Sequence, residues 1–180
     1  MTKLTFVLTL LLSIPLTFAQ SYYDNYTGPS LHIKRIQAKR RRFTTPTPAP
    51  ETAEQKFKRE FLAAVNAHRA LLGFSALTYT VAIDPVAQSH SQNMSSGAVP
   101  FGHDGITTRC QQIYPLVTGE TGCSENVAAG YEDPQLLLRD FLNSPGHRAN
   151  IERQNAKYTG LGLYRSTAGM QYFTQLFIQN

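Results

Sequence analysis

The 180-residue sequence predicts an α+β domain in which helices cover both sides of a mostly antiparallel sheet. Three observations carry that prediction. An apolar stripe at helical period runs through residues 53–72. Two Asp-Pro pairs, Asp84-Pro85 and Asp133-Pro134, mark further helix starts. The tail reads as two strands, the second bulky and apolar on both faces, as a strand covered on both sides must be.

The elements follow in order. Residues 1–19 combine Lys3, an apolar run from Leu4 to Phe18, and small residues at Thr17 and Ala19, the pattern of a secretory signal peptide cleaved after Ala19. The run is shorter than the roughly 20 residues that a spanning helix needs, which argues against a membrane anchor. Residues 20–52 lack periodicity, carry the basic run Lys39-Arg40-Arg41-Arg42 and end in Thr/Pro repeats, the composition of a disordered linker. That basic run reads as a processing site, as a tether to an acidic cell or cell-wall surface, or as a solvated spacer. The chain carries a net charge of +5, but residues 51–180 hold ten Lys and Arg against eleven Asp and Glu, so the domain itself is about −1. Without a basic face on the domain, a nucleic-acid partner is excluded.

Residues 53–180 form the domain. Phe57, Phe61, Ala64, Val65, His68 and Leu72 make the stripe of the first helix, which Gly73 closes. Asp84 and Asp133 are expected as N-caps, the first helix running to about Ser95 and the second through Leu142. A short helix is expected over residues 107–114. Pro145 and Gly146 should stop or kink the helix that precedes them. The strands KYTGLGLYRS and MQYFTQLFIQ are joined by Thr167-Ala168-Gly169. In the last strand Tyr172, Leu176 and Ile178 face one way, and Phe173 and Phe177 the other. Both layers therefore offer apolar walls on which a greasy ligand could sit.

The two cysteines, Cys110 and Cys123, on a chain bound for an oxidising compartment, are expected to pair. The bridge closes a 14-residue loop, worth roughly 3 kcal/mol in the chain-entropy model. Asn25-Tyr-Thr and Asn93-Met-Ser are glycosylation sequons, used if the source is eukaryotic.

Of the five histidines, His32 falls in the linker, and His68 and His90 fall on helix faces where a hydrogen-bonded core histidine is the default. His103 sits between glycines in Phe101-Gly-His-Asp-Gly105. Glu125 leads into the small apolar run Val127-Ala128-Ala129 and needs a donor if it is buried. His147 follows the break in Asn143-Ser-Pro-Gly-His-Arg148. Two imidazoles and a carboxylate could together hold a divalent cation such as zinc, with His103 and His147 as the metal-ligating histidines.

The succession VNAHRALLGFSALTY, AQSHSQNM, FGHDGITTR, ENVAAGY, FLNSPGHRANI, YTGLGLY and YFTQLF resembles the CAP superfamily (cysteine-rich secretory proteins, antigen 5 and pathogenesis-related protein 1), in the compact form common in bacteria. The resemblance covers about residues 55–180. It implies a three-layer α-β-α sandwich, secretion, and a cavity lined by two histidines and two acids. His103 matches the first histidine and Glu125 the first acid. Phe141 replaces a tryptophan, Ser144 stands where the second acid would be, and Tyr172 takes the place of the second histidine. Half of the tetrad is absent. His147 then completes the site as part of a His147–Glu125 brace, a ligand-contacting cavity or a metal site, and Arg148 pairs with an acid or caps carbonyls of the broken helix.

Three function classes follow from the resemblance. One is a secreted, non-enzymatic binding module for a sterol, lipid or other small apolar ligand, acting in defence or host and cell-wall interaction. Another is a metal-dependent hydrolase using His103, Glu125 and His147. The last is a structural cell-wall protein tethered by its basic linker. The incomplete tetrad favours the binding module. Ser144 and His147 lack an acid to orient the imidazole, so no serine-histidine nucleophile is read into them.

Overall fold

Helix α1 (Ala53–Leu71) begins where Thr52 and Gln55 cap each other: the Gln55 N–H donates to Thr52 Oγ1 and the Thr52 N–H to Gln55 Oε1. The structure, a computed structural model, describes residues 49–180. The signal peptide, His32, Asn25 and the Lys39–Arg42 run lie outside the described residues. Gly73, at φ +75°, lets the chain leave α1.

The remaining elements are β1 (Thr78–Tyr79), α2 (Asp84–Ser96), α3 (Ile106–Ile113), β2 (Gly122–Ala129), α4 (Pro134–Asn143), α5 (Pro145–Ile151), β3 (Ala156–Arg165) and β4 (Gln171–Gln179). The strands lie in the order β1-β3-β4-β2. β4 pairs antiparallel with both neighbours, while the short β1 runs parallel to β3, so the sheet is mixed. Helices lie on both of its faces, giving the expected α-β-α layers. On one face, α1 and α4 bury Phe61, Leu137 and Phe141 against Phe173 and Phe177. On the other, Ile83, Ala87 of α2 and Ile113 of α3 pack on Leu176 and Ile178. The alternation read in the last strand is the one observed, and its two phenylalanines are spent on this core rather than left as open walls.

Two helix boundaries differ from expectation, each for a stated reason. Asp133 is an N-cap and accepts from the Gln135 N–H at 2.7 Å. Asp84 is not: it lies inside α2, and its Oδ1 accepts the Leu161 N–H of β3 at 2.8 Å while Oδ2 holds Lys58 Nζ at 3.3 Å. An exposed cap gave way to a cross-element bond. At Ser144 the chain does break, but Pro145 then opens α5, a position where its fixed φ and missing N–H cost nothing.

α2 lies unusually close to β3 because Gly162 has no side chain. A Cβ there would stand 2.2 Å from the carbonyl carbon of Ala87 and 2.3 Å from the Gln88 nitrogen, backbone atoms that cannot swing aside. Gly162→Ala is therefore expected to destabilise by about 3 kcal/mol, the upper range for overpacking, read as a lower urea midpoint at unchanged m-value. A change under about 0.5 kcal/mol, the size of an ordinary surface substitution, would show that α2 can slide.

Candidate functional site

β2 is an outer strand, and its pairing puts Glu125 opposite Leu176, hence on the α2–α3 face of the sheet. The Cys110–Cys123 disulfide fastens α3 to β2 beside it. Arg109 adjoins Cys110, and Glu125 lies two residues past Cys123, so the bridge delivers guanidinium to carboxylate. Arg109 Nε donates to Glu125 Oε2 at 2.7 Å and Nη2 to Oε1 at 2.8 Å, a fork-to-fork pair. His103 Nδ1 donates to Oε1 at 2.9 Å. A carboxylate paired with Arg109 accepts, so the His103 Nδ1 carries a proton toward it, on a ring that is half exposed. Arg109 also donates to the carbonyls of Asp104 and His103, which fixes the loop carrying that imidazole.

His90 of α2 is buried beneath this knot. Its Nε2 donates to the Gly102 carbonyl at 2.9 Å and lies 3.7 Å from Glu125 Oε1. Burial depresses its pKa, with Glu125 pulling the other way. It is a hydrogen-bonded core histidine, as its helix position suggested. His68 pairs with Glu152 at 2.8 Å.

His147 stands on α5, its ring 4.7 Å from Phe141 and 6.5 Å from His103. The expected His147–Glu125 brace is not what forms. Among the described residues the His147 imidazole has no hydrogen-bond partner, and the Glu125 brace runs to Arg109 and His103 instead. What ties α5 to β2 is amide chemistry: Asn126 Nδ2 donates to the His147 carbonyl, and Asn150 Nδ2 to the Glu125 carbonyl, both at 3.1 Å. Burial, with a smaller push from His103, lowers the His147 pKa, so this imidazole is neutral at physiological pH. Arg148 caps the broken helix, donating to the Leu142 carbonyl at 2.7 Å, and lies 3.8 Å from Glu152.

Tyr172 does not join the cluster. It pairs with Ala129 while Glu125 pairs with Leu176, four positions away on the same face, or about 13 Å along the strands. A resident metal also fits poorly. His103 and His147 supply two imidazoles, both Glu125 oxygens are engaged by Arg109, and among the described residues no three His, Cys, Asp or Glu side chains gather as a metal site. The sequon residue Asn93 is exposed within α2.

Arg109 is the residue that reading the sequence missed. The signal was present: Glu125 needed a donor, and a Cys110–Cys123 bridge brings Arg109, the residue before Cys110, close to Glu125, two residues past Cys123.

The family described as "CAP: Cysteine-rich secretory protein family" matches residues 62–177, from α1 into the last strand. The chain belongs to this family. Among curated proteins, the CAP domain here is similar to the uncharacterized protein YkwD of Bacillus subtilis, 26% identical over 136 residues, covering 74% of this chain. The chain spans about half of that relative, 51% of its length. Among solved structures, an extracellular protein containing an SCP domain from Bacillus anthracis superposes with a TM-score of 0.59 at 26% identity, covering 73% of this chain and 45% of that one. An outer surface protein of Borrelia burgdorferi shares the fold, with a TM-score of 0.61 at 17% identity over 70% of this chain and 94% of that one. Among the described residues no helix is long and apolar enough to cross a membrane.

Proposed function

We propose that this CAP domain is a secreted binding module that holds a small apolar or amphipathic molecule, of sterol or lipid type, without chemically changing it. The observation that carries this reading is a groove of about 730 Å³ along the outer side of α1. Leu62, Ala63, Tyr79 and Val81 give it apolar walls, and polar side chains, among them Glu54, Lys58, Arg59 and Asp84, complete the lining. The volume suits one lipid-sized molecule, and burial at about 25 cal/mol per Å² of apolar surface supports affinity on the order of micromolar after ordering costs.

The absence of turnover rests on Glu125. A general base must have a free lone pair aimed at its proton. Glu125 gives its carboxylate to Arg109 and His103, so a hydrolase reading would require that ion pair to open. The extracellular setting is supported by the N-terminal signal pattern and by the extracellular and outer-surface relatives.

Ala63 is exposed on α1 and lines the groove, so Ala63→Trp fills it at little cost to folding. Fluorescent sterol and fatty-acid titrations are expected to show micromolar binding that weakens at least about tenfold in Ala63→Trp. Equal binding by both proteins would remove the groove from the proposal. Peptidase or esterase turnover abolished by Glu125→Gln would replace it with the enzyme.

A further inference from the structure

Among the described residues the two edges of the sheet are finished differently. On the β3 side, past the two residues of β1, side chains cover the backbone. The Leu161 N–H donates to Asp84 Oδ1 and the Leu163 N–H to Gln88 Oε1, both at 2.8 Å. Gln88 Nε2 returns a bond to the Leu163 carbonyl at 2.8 Å. Such capping is how an edge is kept from pairing with another chain.

The β2 edge is capped only in part. The Gly130 N–H donates to the Gln171 carbonyl at 2.8 Å, which sets the alternation of the ladder. Asn126 and Ala128 bond toward β4, while Glu125, Val127 and Ala129 turn their N–H and C=O groups outward. Asn150 covers the Glu125 carbonyl. The outward groups of Val127 and Ala129 meet no partner among the described residues.

A cleft of about 310 Å³ opens there, lined by Val127, Ala128, Ala129, Phe101, Phe141 and His147 among others. Consecutive strand residues point to opposite faces, so a cavity touching three in a row opens on the strand's edge. Phe101 is 57% exposed at its mouth, whereas Val127, though on an edge strand, is only 5% exposed.

We propose that this edge accepts an extended peptide as an added β-strand, with one bulky apolar side chain seated between Phe101 and Phe141. The donors and acceptors alternate as only another extended backbone can match, and the side-chain seat is aromatic. The narrow access decides between occupants. A lone peptide brings only its own backbone and side chains to this cleft, whereas a second copy of the domain would also bring its Phe101 and its α4–α5 corner. This site is separate from the groove along α1, and it stands or falls independently of the lipid reading.

The test is a titration of the ¹⁵N-labelled full chain with acetyl-Thr-Val-Phe-Val-Thr-amide. Amide exchange at Val127 and Ala129 is expected to slow at least about tenfold at saturation, while Asn126 and Ala128, already bonded to β4, stay unchanged. Replacing phenylalanine by alanine in the peptide, or methylating its backbone nitrogens, should each weaken binding about tenfold. Ala129→Pro removes one outward N–H and no bond to β4, a change tolerated on edge strands, and should weaken binding similarly. If that variant fails to fold, the methylated peptide carries the same test. Binding that leaves both amides unprotected would overturn the proposal. So would no binding at millimolar peptide, or protection that rises with protein concentration alone and so signals pairing between copies.

Discussion

Replacing Arg109 by methionine is expected to cost about 3–5 kcal/mol of stability, because it strands the buried Glu125 carboxylate. Glu125 is almost wholly enclosed, and two of its three close donors belong to Arg109. His103 can answer one oxygen but not both. The same substitution takes a donor from the carbonyls of Asp104 and His103, the latter keeping the Ile106 N–H, so the loop 101–105 should loosen as the global midpoint falls. Removing both charges in Arg109→Met with Glu125→Leu should recover most of the loss, since a buried ion pair replaced by apolar groups is often neutral. Urea unfolding of the two single variants and the double variant checks this as a double-mutant cycle. Additive costs would show that the two residues do not act as one unit.

The second large effect belongs to Arg69, which is fully buried and, among the described residues, forms no ion pair with a carboxylate. Its Nε donates to the Ser75 carbonyl at 2.8 Å, Nη1 to those of Ile151 and Arg153 at 2.6 and 2.9 Å, and Nη2 to that of Ala156 at 3.1 Å. One guanidinium thus joins the end of α1 to the end of α5 and the start of β3. Desolvation lowers its pKa, and the carbonyl dipoles are what make the charge tolerable there. Arg69→Met removes the charge but takes a donor from each of four carbonyls, of which that of Arg153 keeps the Ala156 N–H, an expected loss of about 3–5 kcal/mol. Arg69→Lys brings three donors at most and should retain only part of the stability. A loss under about 1 kcal/mol for the methionine variant would mean that water reaches those carbonyls.

Both arginines bear on how much the sequence disclosed. The layers and the hairpin were legible because alternation and helical period survive in the residues themselves, and the family through the succession of motifs that resembles it. Arg69 continues the buried stripe of Phe57, Phe61 and Val65 at intervals of four, yet its charge disguises it, and the pattern reads through His68 instead. β1 was unreadable because two residues have no period. α5 was hidden behind Pro145-Gly146, since proline can stop a helix or open one at its first position. At the site, His103 and Glu125 do meet. His147 arrives nearby but in apolar company, because the orientation of a ring on a seven-residue helix depends on packing with Phe141, which no spacing encodes.

β4 is the middle of the matter in a second sense. It comes after β2 and β3 in the chain yet lies between them in the sheet. Until Gln171–Gln179 is in place, β2 has no neighbour and β3 has only the two residues of β1. Assembly must therefore wait on long-range closures, as when Gly122 finds Gln179, and such topologies fold slowly. A nascent or clipped chain lacking those residues would not be a smaller version of the domain. It would hold two apolar strands with nothing to zip them together, a substrate for chaperones, proteases or aggregation.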